Sequence, residues 1–150
     1  MNIRKRGAAL AVSSLVLAIT IGGCSIGGPT GQERADDLAR QLENGGLGVH
    51  SAEAIYLSSF SGDLTVSVIL EPDALQPGYS VSAKTLGPIL GVVARSAEDM
   101  RVGGVGFYVE GEGGIHIGLE TAAEDLGIAE AVNGQSLSLT GERLESLANR

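Results

Sequence analysis

The sequence predicts an α+β fold: a mainly antiparallel sheet of four to five strands with helices packed on one face, in a helix–strand–strand order that occurs twice. Three observations predict it. Apolar residues recur at helical spacing in two long stretches. Each stretch is followed by runs of alternating apolar and polar residues around a Gly-bearing turn, the pattern of a hairpin. The apolar sets of the two halves also keep step. Ile115, Ile117 and Leu119 stand 49 positions after Val66, Val68 and Leu70, and Leu86, Ile89 and Val93 stand 51 after Ala35, Leu38 and Leu42. Residue identity between the halves is slight, so the repeat is one of architecture.

The first helix begins at Thr30-Gly-Gln-Glu33, the spacing of a capping box, and carries Ala35, Leu38, Ala39 and Leu42 on one face before Asn44-Gly45-Gly46 ends it. Ser51 to Phe60 reads as a strand with Ile55 and Leu57 on one face and Ala54 and Tyr56 on the other. Ser61-Gly62-Asp63 turns the chain into Leu64 to Leu70, where Leu64, Val66, Val68 and Leu70 point inward and Thr65 and Ser67 outward. Glu71 to Ser80, with Pro72 and Pro77-Gly78, is the longest irregular stretch after the first helix. The second helix spans about Ser82 to Ser96 on a stripe of Leu86, Ile89, Leu90 and Val93. Pro88 requires either a start near Thr85, which puts it in the first turn, or a kink.

Val102 to Glu110 is a strand with Val105, Phe107 and Val109 inward, and Gly111-Glu-Gly-Gly114 turns it into Ile115 to Glu120 as its hairpin partner. Thr121-Ala-Ala-Glu124 has capping-box spacing and predicts a short helix closed by Asn133-Gly134. Ser136 to Leu139 is a small fifth strand, and Thr140 is expected to cap a last helix with Leu144 and Leu147 inward. Helices then cover the apolar sheet face, leaving Thr65, Ser67, His116, Gly118 and Glu120 on a face at least partly wet.

The first 24 residues read differently. Arg4, Lys5 and Arg6 precede an uncharged run from Gly7 to Gly23. Its apolar heart, Ala8 to Ile21, would measure about 21 Å as a helix, short of the ~20 residues a membrane span needs. A basic start, a short apolar run and small residues form the layout of a secretory signal peptide. Ile21-Gly22-Gly23-Cys24 resembles the lipobox of bacterial lipoproteins, with Gly22 where Ala or Ser is more usual. The resemblance is confined to these residues. It implies that Cys24 is lipidated and becomes the mature N-terminus, with residues 1–23 removed as signal peptide. Cys24 is the sole cysteine, so no internal disulfide forms and lipidation accounts for it. One buried acyl chain holds a protein weakly and two hold it stably. The expected domain organisation is thus signal peptide 1–23, a short tether 24–29 and one α+β domain over 30–150. The expected place is the cell membrane, lipid-anchored and facing outside the cytoplasm.

Without residues 1–23, Lys+Arg falls from 10 to 7 against 18 Asp+Glu, a net charge of −11. That disfavours nucleic acid and anionic headgroups as partners, since both require a positive surface. With no Trp, three Tyr and two Phe, the chain is poorly supplied for stacking on sugars or bases.

No catalytic pattern stands out. Only two histidines are present, His50 and His116, and no His-Glu-x-x-His motif. Glu110, Glu112, His116 and Glu120 lie close across the second hairpin, but charged residues on a wet sheet face are ordinary, so no metal site is assigned. Gly134-Gln-Ser136-Leu-Ser138 lacks the closing Gly of a nucleophile elbow. Gly103-Gly-Val-Gly106 and Gly111-Glu-Gly-Gly114 match neither the dinucleotide nor the phosphate-loop pattern. The expectation is a non-enzymatic domain without cofactor that binds another envelope protein. Its interaction surface would be the Glu71–Ser80 loop with Tyr79, together with Glu110, Glu112 and His116. The alternative is a small-molecule or cation binder using a groove between helices and sheet.

Overall fold

A computed structural model of the chain describes Gly28 and residues 30–150. The expected signal peptide 1–23, Cys24 and most of the expected tether 24–29 lie outside the described residues. The α+β class holds: six strands form one mostly antiparallel sheet and four α-helices pack against it.

Helix α1, Gly31–Asn44, starts at the expected capping box. The Glu33 amide donates to Thr30 Oγ1 at 3.2 Å, and the Thr30 amide donates to Glu33 Oε2 at 2.6 Å. Ala35, Leu38 and Leu42 are fully buried. Strand β1, Val49–Leu57, and strand β2, Asp63–Leu70, form the first hairpin, with Ala54 opposite Val66 and Tyr56 opposite Leu64. The alternation in β2 is as read: Leu64, Val66, Val68 and Leu70 are buried.

Helix α2, Ala83–Met100, is longer than expected. Ser82 caps it, its hydroxyl accepting from the Thr85 amide at 3.2 Å. The start at Ala83 agrees with the one expected between Ser82 and Thr85, and it puts Pro88 in the second turn. Its exposed position leaves the Lys84 carbonyl, deprived of an N–H partner, on the water side. Arg101 ends the helix in the left-handed region, φ 56°.

Strand β3, Gly104–Gly111, runs parallel to β2, with Phe107 opposite Val66. The second hairpin is mostly absent. Strand β4 is only Ile115–His116, pairing with Gly111 and Glu110. Ile117 and Leu119 leave the sheet for the core, where both are fully buried. The position beside β3 is instead taken by strand β6, Ser136–Thr140, which sets Leu137 opposite Phe107. Strand β5, Val132–Asn133, closes that edge, and the order is β1-β2-β3-β6-β5.

Helix α3, Glu120–Asp125, begins after Leu119 without a side-chain cap, so Thr121 is not its cap. It stops at Gly127, φ 70°, before a 3-10 turn at Ala129–Ala131, well short of Asn133-Gly134. Glu120 belongs to this helix, and with Gly118 lies off the wet sheet face. Helix α4, Glu142–Ala148, is preceded by Gly141 at φ 46° rather than capped by Thr140; Leu144 and Leu147 are buried as expected.

The core lies in one layer between sheet and helices. Phe107, at its centre, is the largest fully buried side chain. Among the described residues, no helix covers the opposite face of the sheet. Among the described residues, no helix is long and apolar enough to cross a membrane.

Candidate functional site

The Glu71–Ser80 loop is ordered. A 3-10 turn occupies Pro72–Ala74, and Gln76 and Ser80 bridge a tight turn through Pro77-Gly78-Tyr79, the Gln76 amide donating to the Ser80 carbonyl at 2.8 Å. Pro77 presets its own φ, Gly78 takes φ 87° and Tyr79 φ 56°, so the non-glycine Tyr79 sits in a backbone region that side chains rarely occupy. Tyr79 is 56% exposed. Its carbonyl accepts from the Gly118 amide at 2.9 Å, and the Val81 amide donates to the Gly118 carbonyl at 3.2 Å. The loop is thereby stitched to the segment leaving β4.

Glu110 and His116 stand opposite each other on β3 and β4. Glu112, in the following turn, reaches the start of β1, where its Oε1 lies 3.7 Å from His50 Nδ1. The fold thus gathers Glu110, Glu112 and His116 at one end of the sheet, with Tyr79 joined to that end through Gly118. Among the described residues, no group of three His, Cys, Asp or Glu side chains is placed to hold a metal ion.

Ser136, from the stretch that resembles a nucleophile elbow, is engaged by a turn, as is Ser59 beside the first hairpin turn, while Ser138 lies on β6. Ser136 Oγ donates to the Asn133 carbonyl at 2.9 Å across the β5–β6 turn, and Ser59 Oγ donates to Asp63 Oδ2 at 2.9 Å. The clearest electrostatic perturbation is also peripheral. Glu130 is held below the usual carboxylate range by its own backbone amide and by Arg143, whose Nε lies 2.7 Å from its Oε1.

The larger feature is the uncovered sheet face. Because residues on a strand alternate between faces, the register brings one complete set outward: Ser51, Glu53, Ile55 and Leu57 on β1, Asp63, Thr65, Ser67 and Ile69 on β2, Gly104, Gly106, Tyr108 and Glu110 on β3, Ser136, Ser138 and Thr140 on β6. Ile55, Leu57 and Tyr108 are 41%, 52% and 46% exposed. The Tyr108 ring lies back along its own strand, over the position of a Gly106 side chain; a Cβ there would meet its Cε2 at 3.5 Å. A groove of about 370 Å³ runs across this face, bordered by Ser67, Ile69, Tyr108, Glu53 and Glu110. The interaction residues named from the sequence include its Glu110 corner and omit Ile55, Leu57 and Tyr108. The available signal was β1 itself, an edge strand apolar on both faces.

A second concavity, of about 310 Å³, lies between α2, α4 and the start of β3. Ala94, Val102 and Leu144 line it together with Glu98, Arg101 and Glu145.

No protein-family model, curated protein or solved structure matches this chain.

Proposed function

We propose that the chain is a lipid-anchored cell-envelope protein, held in the membrane through Cys24 and facing outside the cytoplasm, whose domain is a non-enzymatic protein-interaction module. The lipobox-like Ile21-Gly22-Gly23-Cys24 supports the placement. The interaction reading rests on one observation: helices bury one face of the sheet, while the other presents Ile55, Leu57 and Tyr108 to solvent. Apolar side chains gathered on an uncovered face are a mark of interaction surfaces. The tight Tyr79 turn and the Glu110–His116 pair extend that surface at one end.

The test is labelled-lipid incorporation and in-cell crosslinking of the tagged chain beside a Cys24→Ser control. Lipid label on the wild type alone, with a specific envelope protein recovered by it, is the expected result. Label on both forms refutes the anchor, and recovery of no partner refutes the interaction role.

A second reading, a small-molecule binder, is favoured by the concavity between α2 and α4, whose apolar lining is flanked by charges. A ligand present at 100 times its Kd would add about 2.7 kcal/mol of stability. Thermal-shift screening of cations and small metabolites checks this, and a flat response removes it.

A further inference from the structure

The distribution of charge between the two sides of the sheet says what kind of surface the open face receives. All seven Lys and Arg among the described residues lie on helices or directly at their ends: Arg34 and Arg40 on α1, Lys84 and Arg95 on α2, Arg101 behind it, Arg143 on α4 and Arg150 after it. The open face carries none. Its charges are the carboxylates Glu53, Asp63 and Glu110, with His116 at the margin. The groove joins the two properties. Ile69 and the Tyr108 ring supply apolar contact, and Glu53 and Glu110 stand at its borders. Glu53 and Tyr108 occupy one cross-strand row through Ser67, two strand spacings or about 10 Å apart. That span admits the stem of a long cationic side chain, and a cation above a tyrosine ring is further attracted by its π face.

We propose that this groove is the docking site for a partner protein presenting an Arg or Lys amid apolar side chains, the cationic head held between Glu53 and Glu110 and the apolar side chains laid on Ile69, Tyr108, Ile55 and Leu57. The inference rests on the interaction reading above and adds the surface and its chemistry. A second copy of this chain is a poor occupant. Two open faces brought together oppose carboxylates with no cation between them. Four of the seven cations are moreover bonded within their own helical layer: Arg34 to the Asp99 carbonyl, Arg40 to Asp37, Arg143 to Glu130 and Arg150 to the Leu126 carbonyl. An anionic lipid surface is repelled by the same carboxylates.

The experiment places a photo-crosslinking amino acid at Ser138 or Leu57 on the open face, at Tyr79, or at Gln41 on α1, in the full lipidated chain in cells. The expected result is one protein crosslinked from Ser138 and Leu57, with crosslinked peptides that carry Lys or Arg. The yield should fall at least tenfold in the double variant Glu53→Lys, Glu110→Lys. It should hold in the double variant Glu124→Lys, Asp125→Lys, which changes net charge equally at exposed sites on α3, off this face and outside the Glu71–Ser80 loop. An unchanged melting curve for both doubles separates lost docking from lost folding. Crosslinks to a second copy or to lipid overturn the proposal, as does equal sensitivity to both charge reversals. A partner crosslinked only from Tyr79 or Gln41 overturns it while leaving the interaction reading in place. No crosslinked protein from any position overturns both.

Discussion

Strand β1 is a nine-residue edge, and its protection is the most exacting test of the structure. An open edge presents unpaired N–H and C=O groups to any other strand. Here α1 occupies them with side chains. The Gln32 amide donates from Nε2 to the Ala54 carbonyl at 3.1 Å and accepts at Oε1 from the Tyr56 amide at 3.0 Å, the two bonds a neighbouring strand's peptide would make. Glu43 Oε1 accepts from the Ala52 amide at 2.9 Å. Gln32→Ala removes both Gln32 bonds to the edge. At about 0.5–1.5 kcal/mol per net hydrogen bond, the loss is about 1–3 kcal/mol, offset by a few tenths because Ala is the better helix former. Denaturant unfolding of the purified protein should therefore show a drop of roughly 1–2 kcal/mol. The exposed edge should also raise self-association, read by sedimentation. Gln32→Glu sharpens the test, since a carboxylate can accept from Tyr56 but cannot donate to Ala54 and faces that carbonyl with like charge. It should be at least as destabilising at neutral pH and recover partly on acidification, when the carboxyl gains a proton to donate. A Gln32→Ala protein as stable and as monomeric as wild type would refute the edge-capping argument.

Other perturbations probe separate parts of the chain. Phe107→Ala empties the centre of the core between Val66 and Leu137 and should cost about 3–5 kcal/mol by denaturant unfolding. Gly48 has φ 73° and a Cβ there would meet Ala74 Cβ at 2.6 Å, so Gly48→Ala combines backbone strain with a collision and should destabilise by more than the ~1 kcal/mol of strain alone. Thr30→Ala removes the α1 cap and should cost about 1 kcal/mol, with Thr30→Ser restoring most of it. Glu130, whose pKa the fold lowers, contributes stability that is present above the ordinary carboxylate range and lost as pH falls through its depressed value. Glu130→Gln should therefore flatten the acid limb of the stability–pH curve while leaving its shape at pH 7 and above unchanged.

The local features were legible because their causes are local. The capping box at Thr30 is satisfied within four residues, and the period of two in Leu64 to Leu70 already separates a buried from a wet face. The stripe of Leu86, Ile89, Leu90 and Val93 needs no knowledge of its partner to be seen as a buried helix face. Two capping motifs misled for an equally physical reason. Thr121 follows a segment whose backbone is held by Tyr79 and whose Leu119 is drawn into the core, and the Gly141 conformation starts α4 after Thr140 has paired with Gly104 in the sheet. Tertiary bonds outweighed a local motif in both cases.

For the candidate site, residue chemistry pointed to Glu110, Glu112 and His116, and hairpin proximity placed them near one another. The rest depended on which strand lies beside which. Composition and periodicity alone determined an acidic chain with an α+β pattern, its apolar stripes and its first hairpin. Pairing decided what those pieces became: the parallel contact of β2 with β3, the arrival of β6 where β4 was expected, and the open face that joins Ile55, Ile69 and Tyr108. Strand partners are chosen by burial summed over the whole core, a quantity that no window of neighbouring residues contains.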